Sequence, residues 1–271
     1  MKRNQWIAGL IIPAVILTAS IAFAGNISIN GSTTVLPIAQ KVAEAYMKEH
    51  PDTKISISGG GSGNGIKALI DKTTDIANAS RAMKKEEIDK AKAKGGDPVE
   101  FIVAYDCIVP VVHPSNPIKD ITVDQLKAIY KGEIRNWKEI GGPDKPVVII
   151  SRDTSSGTYE VWEEKVMKKE RVFPGALLQA SNGAIVQAVS KNPNAIGYIG
   201  LGYMDNSVKM LSVNGITGSK ETTLNKSFPV SRPLYMYTPV KPAGDIKMFM
   251  DYMVSSKGQK LVEEEGFIPL K

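Results

Sequence analysis

Between residues 26 and 80 three β-like runs, NISING, KISISGG and DIANAS, alternate with stretches of helical period, and each run ends in small polar residues. No other feature constrains the fold as strongly. Strand, turn and helix repeated in this way bury their apolar faces in a mostly parallel α/β sheet with covering helices. In the first helical stretch Val35, Ala39, Val42, Ala43 and Tyr46 fall on one face, and Pro51 stops it. IKALID makes a short helix after the glycine-rich turn, and MKKEEIDKAKAK, from Met83 to Lys94, reads as a solvated one. FIVAYDCIVPVVHP is the longest later β-like run. Beyond it ITVDQLKAIYKGEIRNW reads as helix and turn, PVVIIS as strand, SSGTYEVWEEKVMKKE and SNGAIVQAVSKNP as helices, and AIGYIGL as strand. FPVSRPLYMYTP is extended, and a long or broken helix starting at GDIKMFMDYM closes the chain.

Lys2 and Arg3 precede an apolar run from Trp6 to Phe23, and Ala22-Phe23-Ala24 supplies a small-x-small cleavage pattern. Residues 1–24 therefore read as a cleavable signal peptide, the competing reading being an N-terminal membrane anchor. No cysteine lies near the cleavage point, so the mature chain is expected free in the periplasm and not lipid-anchored. Its length fits one large domain or two smaller ones. The formal charge is +6, part of it carried by Lys2 and Arg3, which suits an anionic ligand and argues weakly for nucleic acid; no nucleic-acid partner is expected. Cys107 is the only cysteine, which excludes an intrachain disulfide and reads as a buried small hydrophobe. The only histidines, His50 and His113, each precede a proline, so no metal-ligand cluster can be drawn and neither metal nor cofactor is expected.

Three turns share one chemistry. Gly31-Ser32-Thr33-Thr34, Gly59 through Gly63 with Ser62, and Ser151 through Thr158 with Arg152 each lie between a strand and a helix. The first N–H groups of a helix lack intrahelical partners and carry the positive end of its dipole. Such a start binds anions, hydroxyls add donors, and glycine lets a ligand approach the backbone. One turn alone is an ordinary cap. Three, with Ser80-Arg81 at a further strand end, converge on one small oxyanion, because ligands of open α/β sheets sit beyond the carboxyl ends of the strands.

Enzymatic readings fare worse on the same residues. GGGSGNGIK lacks the Gly-Lys-Ser/Thr ending of a P-loop, and Ile66 stands where a dinucleotide fingerprint needs glycine. Neither Ser62 nor Ser156 sits in a nucleophile elbow, and a serine nucleophile would need His50 or His113 as its base. Trp137 and Trp162 read as packing residues, the lysine-rich runs at 84–94 and 165–171 as solvated helix faces, and Asn182 as an N-cap.

GSTTV, SGGGSGNGIKAL, ANASR, LKAIYKGEIRNWKEIGG and SRDTSSGTYE occur here in the order found in phosphate-binding proteins of ABC-type phosphate importers, and the chain resembles that family over about residues 26–270. The resemblance implies a type II periplasmic-binding-protein fold, two α/β lobes around a ligand cleft, with crossovers at 104–112 and 229–237. Lobe 1 would comprise 25–104 and 235–271, and lobe 2 would comprise 105–234. Carried over by position, Thr33 and Thr34 would bond the anion by hydroxyl and N–H, and Ser62 from the glycine-rich turn. Arg152 would be the principal charged ligand, with Ser156, Gly157 and Thr158 completing the cradle. Ser80 and Arg81 join this set from the strand end. Arg81 stands where longer members carry an aspartate that accepts the ligand proton, leaving Asp153 or a backbone carbonyl as substitute acceptors. The resemblance implies a monomeric, non-enzymatic receptor that captures inorganic phosphate and delivers it to a membrane permease. The alternatives are a receptor for sulfate, molybdate, tungstate or arsenate, and a secreted phosphoesterase. Mass spectrometry of the exported protein should give a mature N-terminus at Gly25; retention of residues 1–24 would establish the anchor instead.

Overall fold

The structure, a computed structural model, describes residues 25–270; the expected leader lies outside them. The first alternation resolves into β1 (Asn26–Gly31), α1 (Leu36–Glu49), β2 (Lys54–Ser58), α2 (Ser62–Ile70), β3 (Ile76–Ala79) and α3 (Lys85–Ala93). A long strand follows, β4 (Val99–Val112), then β5 (Asp120–Ile121), α4 (Val123–Lys131), β6 (Val148–Arg152) and α5 (Gly157–Lys165). The chain continues through β7 (Leu177–Gln179), α6 (Asn182–Ser190), β8 (Ala195–Gly200), β9 (Lys209–Met210), β10 (Ser212–Val213) and α7 (Lys220–Leu224). It ends with β11 (Ser231–Thr238), α8 (Gly244–Val254) and α9 (Ser256–Glu264). The closing helix is broken: Ser255 is extended, and its hydroxyl caps α9 by accepting from the Gly258 N–H at 3.2 Å.

Two α/β lobes share one hydrogen-bonded path, β2-β1-β3-β11-β4-β8-β6-β7, with β9 on β4. β1 pairs in parallel with β2 and β3, and β6 in parallel with β7 and β8. Between these parallel sets run the antiparallel strands β4 and β11. The first part of β4 pairs with β11 and its last five residues with β8, so a single strand leaves one lobe and enters the other. Two consequences position the site. All parallel strands of a lobe release their turns at the same sheet edge, and the crossovers set those two edges facing one another.

Each lobe has its own core. The largest cluster draws on residues between 107 and 230, with Trp162 stacked on Tyr198 at 4.3 Å and the Trp137 indole donating to the Asn194 carbonyl at 3.0 Å. Both tryptophans are packing residues, as their sequence context predicts. Two further clusters draw on 27–104 and 234–267: one packs α1, α8 and α9 on the sheet, the other packs α2 against β3. Cys107 lies in the first cluster, and burial pushes its thiol up to about 12.

Charge enters this apolar frame where the crossovers meet. Asp106 of β4 and Arg232 of β11 are register partners. Arg232 donates from Nε (3.1 Å) and Nη2 (2.8 Å) to Asp106 Oδ2, while the Leu201 N–H donates to Oδ1 at 2.9 Å. Burial pushes the Asp106 carboxyl upward, and Arg232 and the N–H donors oppose that push. Arg232 Nη1 also donates to the Ser80 carbonyl at 3.1 Å. Removing one member of a buried pair strands its partner's charge. Arg232→Met is expected to cost about 3–5 kcal/mol in urea unfolding, and Asp106→Asn with Arg232→Met markedly less than the two single losses added.

Candidate anion-binding site

Gly31, Ser58, Ala79 and Arg152 end the strands from which the candidate turns depart. In the first turn the Ser32 hydroxyl accepts the Thr34 N–H (3.1 Å), so that N–H organises the turn and is not aimed at a ligand. Thr34, expected to offer both N–H and hydroxyl to the anion, thus has its N–H engaged within the turn. Its hydroxyl is the meeting point of both lobes: it lies 3.0 Å from Thr158 Oγ1, accepts from Asn182 Nδ2 at 3.0 Å, and lies 3.4 Å from its donor Arg232 Nη2. Thr33 Oγ1 is buried with no hydrogen-bond partner among the described residues.

The other turns close on the same place. Ser62, the first residue of α2, accepts the Ser80 N–H (3.0 Å) and lies 3.2 Å from the Ser80 hydroxyl. Ser156 caps α5 by accepting from the Tyr159 N–H at 3.2 Å. That cap leaves the N–H groups of Gly157 and Thr158, the first two of the helix, directed out of its N-terminus. Gly157 approaches lobe 1 so closely that a Cβ there would lie 2.4 Å from Ser62 Oγ and 2.8 Å from Ser80 Oγ. The same intimacy recurs at the rim, where Gly63 N–H donates to the Ser155 carbonyl (3.0 Å) and Ser155 Oγ to the Gly60 carbonyl (3.1 Å).

Arg152 is 1% exposed. Its Nε donates to the Gln179 carbonyl and its Nη2 to the Ala180 carbonyl, each at 3.0 Å. Nη1 is buried with no partner among the described residues. The nearest carboxylate, Asp153, stands 4.0 Å from Nη2 and spends Oδ1 on the Ser155 N–H at 2.9 Å. Burial pulls the Arg152 guanidinium below its ordinary value, and Arg232 lowers it further. A buried cation without a counter-charge is costly. Here the backbone clamps the guanidinium and leaves Nη1 without a partner among the described residues.

Arg81 does not belong to this set. Its Nη1 and Nη2 grip both oxygens of Glu87 (2.8 and 2.7 Å), Nη1 also donates to the Ala82 carbonyl, and Nε donates to Glu160 at 2.8 Å. The expectation that Arg81 touches the anion finds no support here: four of its five N–H donors go to Glu87, Glu160 and the Ala82 carbonyl. Asn182 is likewise not an N-cap, since Ser181 caps α6; its amide bridges Thr34 and the Gly200 N–H (3.2 Å). Asp106 and Arg232 were not singled out by sequence reasoning. Their one signal is a charge inside each of two otherwise apolar strand runs.

A model of the PBP superfamily domain matches residues 18–257. The phosphate-binding protein PstS of Borreliella burgdorferi is 38% identical over 257 residues, covering 90% of each chain. The chain belongs to the PstS family of phosphate-binding proteins. PstS of Bacillus subtilis is 33% identical over 250 residues, covering 91% of this chain and 81% of its own. A phosphate ABC transporter substrate-binding protein from Clostridium perfringens, solved with bound phosphate, superposes with a TM-score of 0.85 at 39% identity, covering 91% of this chain and all of its own. These relatives agree with the two-lobed fold. Gly157→Ala is expected to hold the lobes apart, read as a larger radius of gyration in small-angle X-ray scattering with the unfolding midpoint unchanged; an unaltered scattering curve would contradict the close approach.

Proposed function

We propose that this chain is an extracytoplasmic receptor that captures inorganic phosphate between its lobes and delivers it to the permease of an ABC importer. The observation that carries the reading is Arg152: a buried, backbone-clamped guanidinium whose Nη1 has no partner among the described residues. It is a receptor and not an enzyme; binding replaces the hydration shell of the anion with fixed donors, and no bond breaks. The proposed ligand set is Arg152, the hydroxyls of Thr33, Thr34, Ser62, Ser80, Ser156 and Thr158, and the N–H groups of Gly157 and Thr158. The relatives are named phosphate-binding proteins, and one was solved with phosphate bound, which supports phosphate as the anion. The proposed lobe division, 25–104 with 235–271 against 105–234, is supported by the separate cores. The periplasmic location and monomeric state belong to the same proposal. Among the described residues no helix is long and apolar enough to cross a membrane.

Hydrogen phosphate carries a proton that sulfate lacks, so selectivity needs an acceptor. Asp106 has both oxygens engaged, and Asp153 is held by Ser155. The Ser80 hydroxyl is the acceptor we assign, since a hydroxyl both donates and accepts. Calorimetric titration should show one-to-one phosphate binding with little response to sulfate. Arg152→Ala should weaken it at least about 100-fold, two charge-assisted bonds being worth roughly 1.5–3 kcal/mol each. Ser80→Ala should narrow the preference for phosphate over sulfate. Equal affinity of the wild type for both anions would make the site a general oxyanion receptor.

A further inference from the structure

Glu160 sits one residue beyond the Thr158-Tyr159 pair, in the first turn of α5, and has no place in the anion site. Its carboxylate bridges the two lobes. Oε1 accepts from Arg81 Nε at 2.8 Å, and Oε2 pairs with Lys84 Nζ at 2.6 Å, both partners lying on the opposite lobe. Arg81 is held for this contact from behind by Glu87 of α3, whose oxygens grip its two terminal nitrogens. Arg81 is 8% exposed and Glu160 16%. At that depth salt screens the pair less than an open surface pair. A second bridge between the lobes, Lys220 to Glu263 at 2.7 Å, is more than half exposed at both ends and is correspondingly weaker.

We propose that Glu160 is a latch: a positioning residue that holds the lobes closed through Arg81 and Lys84 and so sets how long the anion is retained. The same helix start that offers the Gly157 and Thr158 N–H groups to the ligand carries the latch, so the two engage together when α5 swings onto lobe 1. Arg81 keeps its Glu87 partner whether the lobes are open or closed, and only the Glu160 contact is made on closure. The latch thus favours the closed form without touching the ligand. A bias of that kind raises apparent affinity in proportion to the closed population. Its kinetic effect falls on release, because the contact forms after the anion has entered.

The inference rests on the phosphate reading for its kinetic test and is independent of it for its structural one. Stopped-flow phosphate release and small-angle scattering of the phosphate-free protein would be measured for the full mature chain, Glu160→Gln and Glu164→Gln. Glu164 is exposed on the same helix and controls for the change of charge. Glu160→Gln should release phosphate about tenfold faster with an association rate within about twofold of wild type, and its phosphate-free form should scatter as a more open particle. Glu164→Gln should match the wild type in both. Arg81→Lys, which keeps a cation at the latch, should recover part of the retention that Arg81→Met loses. Release and scattering by Glu160→Gln indistinguishable from wild type would overturn the latch. A wild type that binds no phosphate, with scattering that still opens in Glu160→Gln, would overturn the ligand and leave the latch standing.

Discussion

A carboxylate and a guanidinium meet where the two crossover strands run side by side, and the site depends on that meeting. Asp106 neutralises Arg232, which frees Arg232 to act as a structural strut: one nitrogen holds the Ser80 carbonyl at a strand end of lobe 1, another reaches toward the Thr34 hydroxyl. The fourth point of the strut is the Leu201 N–H, just past β8 in lobe 2. Strand ends of both lobes are thereby tied to one charged node. Without it the turns would hang from two sheets with no common reference, and donors meant for one small anion would lose their mutual geometry.

The two arginines at the cleft illustrate how partners divide labour between similar side chains. Arg232 has a carboxylate and is satisfied by the protein itself. Arg152 has two carbonyl dipoles, which fix its plane without cancelling its charge, and Asp153 no nearer than 4.0 Å. Burial therefore works against the charge of Arg152. Hydroxyls complete the arrangement because each can donate or accept as its neighbours demand. No general base is built among them, in keeping with a site that recognises and does not transform.

Much of this was legible in the sequence because it is local. Periodicity and punctuation disclosed the alternation of strand and helix, the break before Pro51 and the extended character of both crossovers. Hydroxyls and glycines at strand ends disclosed the turns that the proposed cradle is built from, because a helix start needs no distant partner to bind an anion. What stayed hidden is pairwise and long-range. Arg81 follows Ser80 at a strand end and reads as one more ligand, yet Glu87 and Glu160, one on its own lobe and one opposite, claim it. Asp106 and Arg232 are 126 residues apart, and only the antiparallel register of two strands makes them neighbours. Asn182 reads as a cap because asparagine often caps; the displacement of that role to Ser181 by a single position freed its amide to bridge the lobes.

The lone cysteine has a use of its own. Cys107 follows Asp106 on the same strand, wholly enclosed in the core of lobe 2, with a thiol whose pKa of about 12 leaves a negligible thiolate fraction near neutrality. At 0% exposure and packed among residues from 107 to 230, the sulfur meets a thiol reagent only when that packing opens. The rate of its modification therefore counts openings around β4, the strand that leaves one lobe and enters the other.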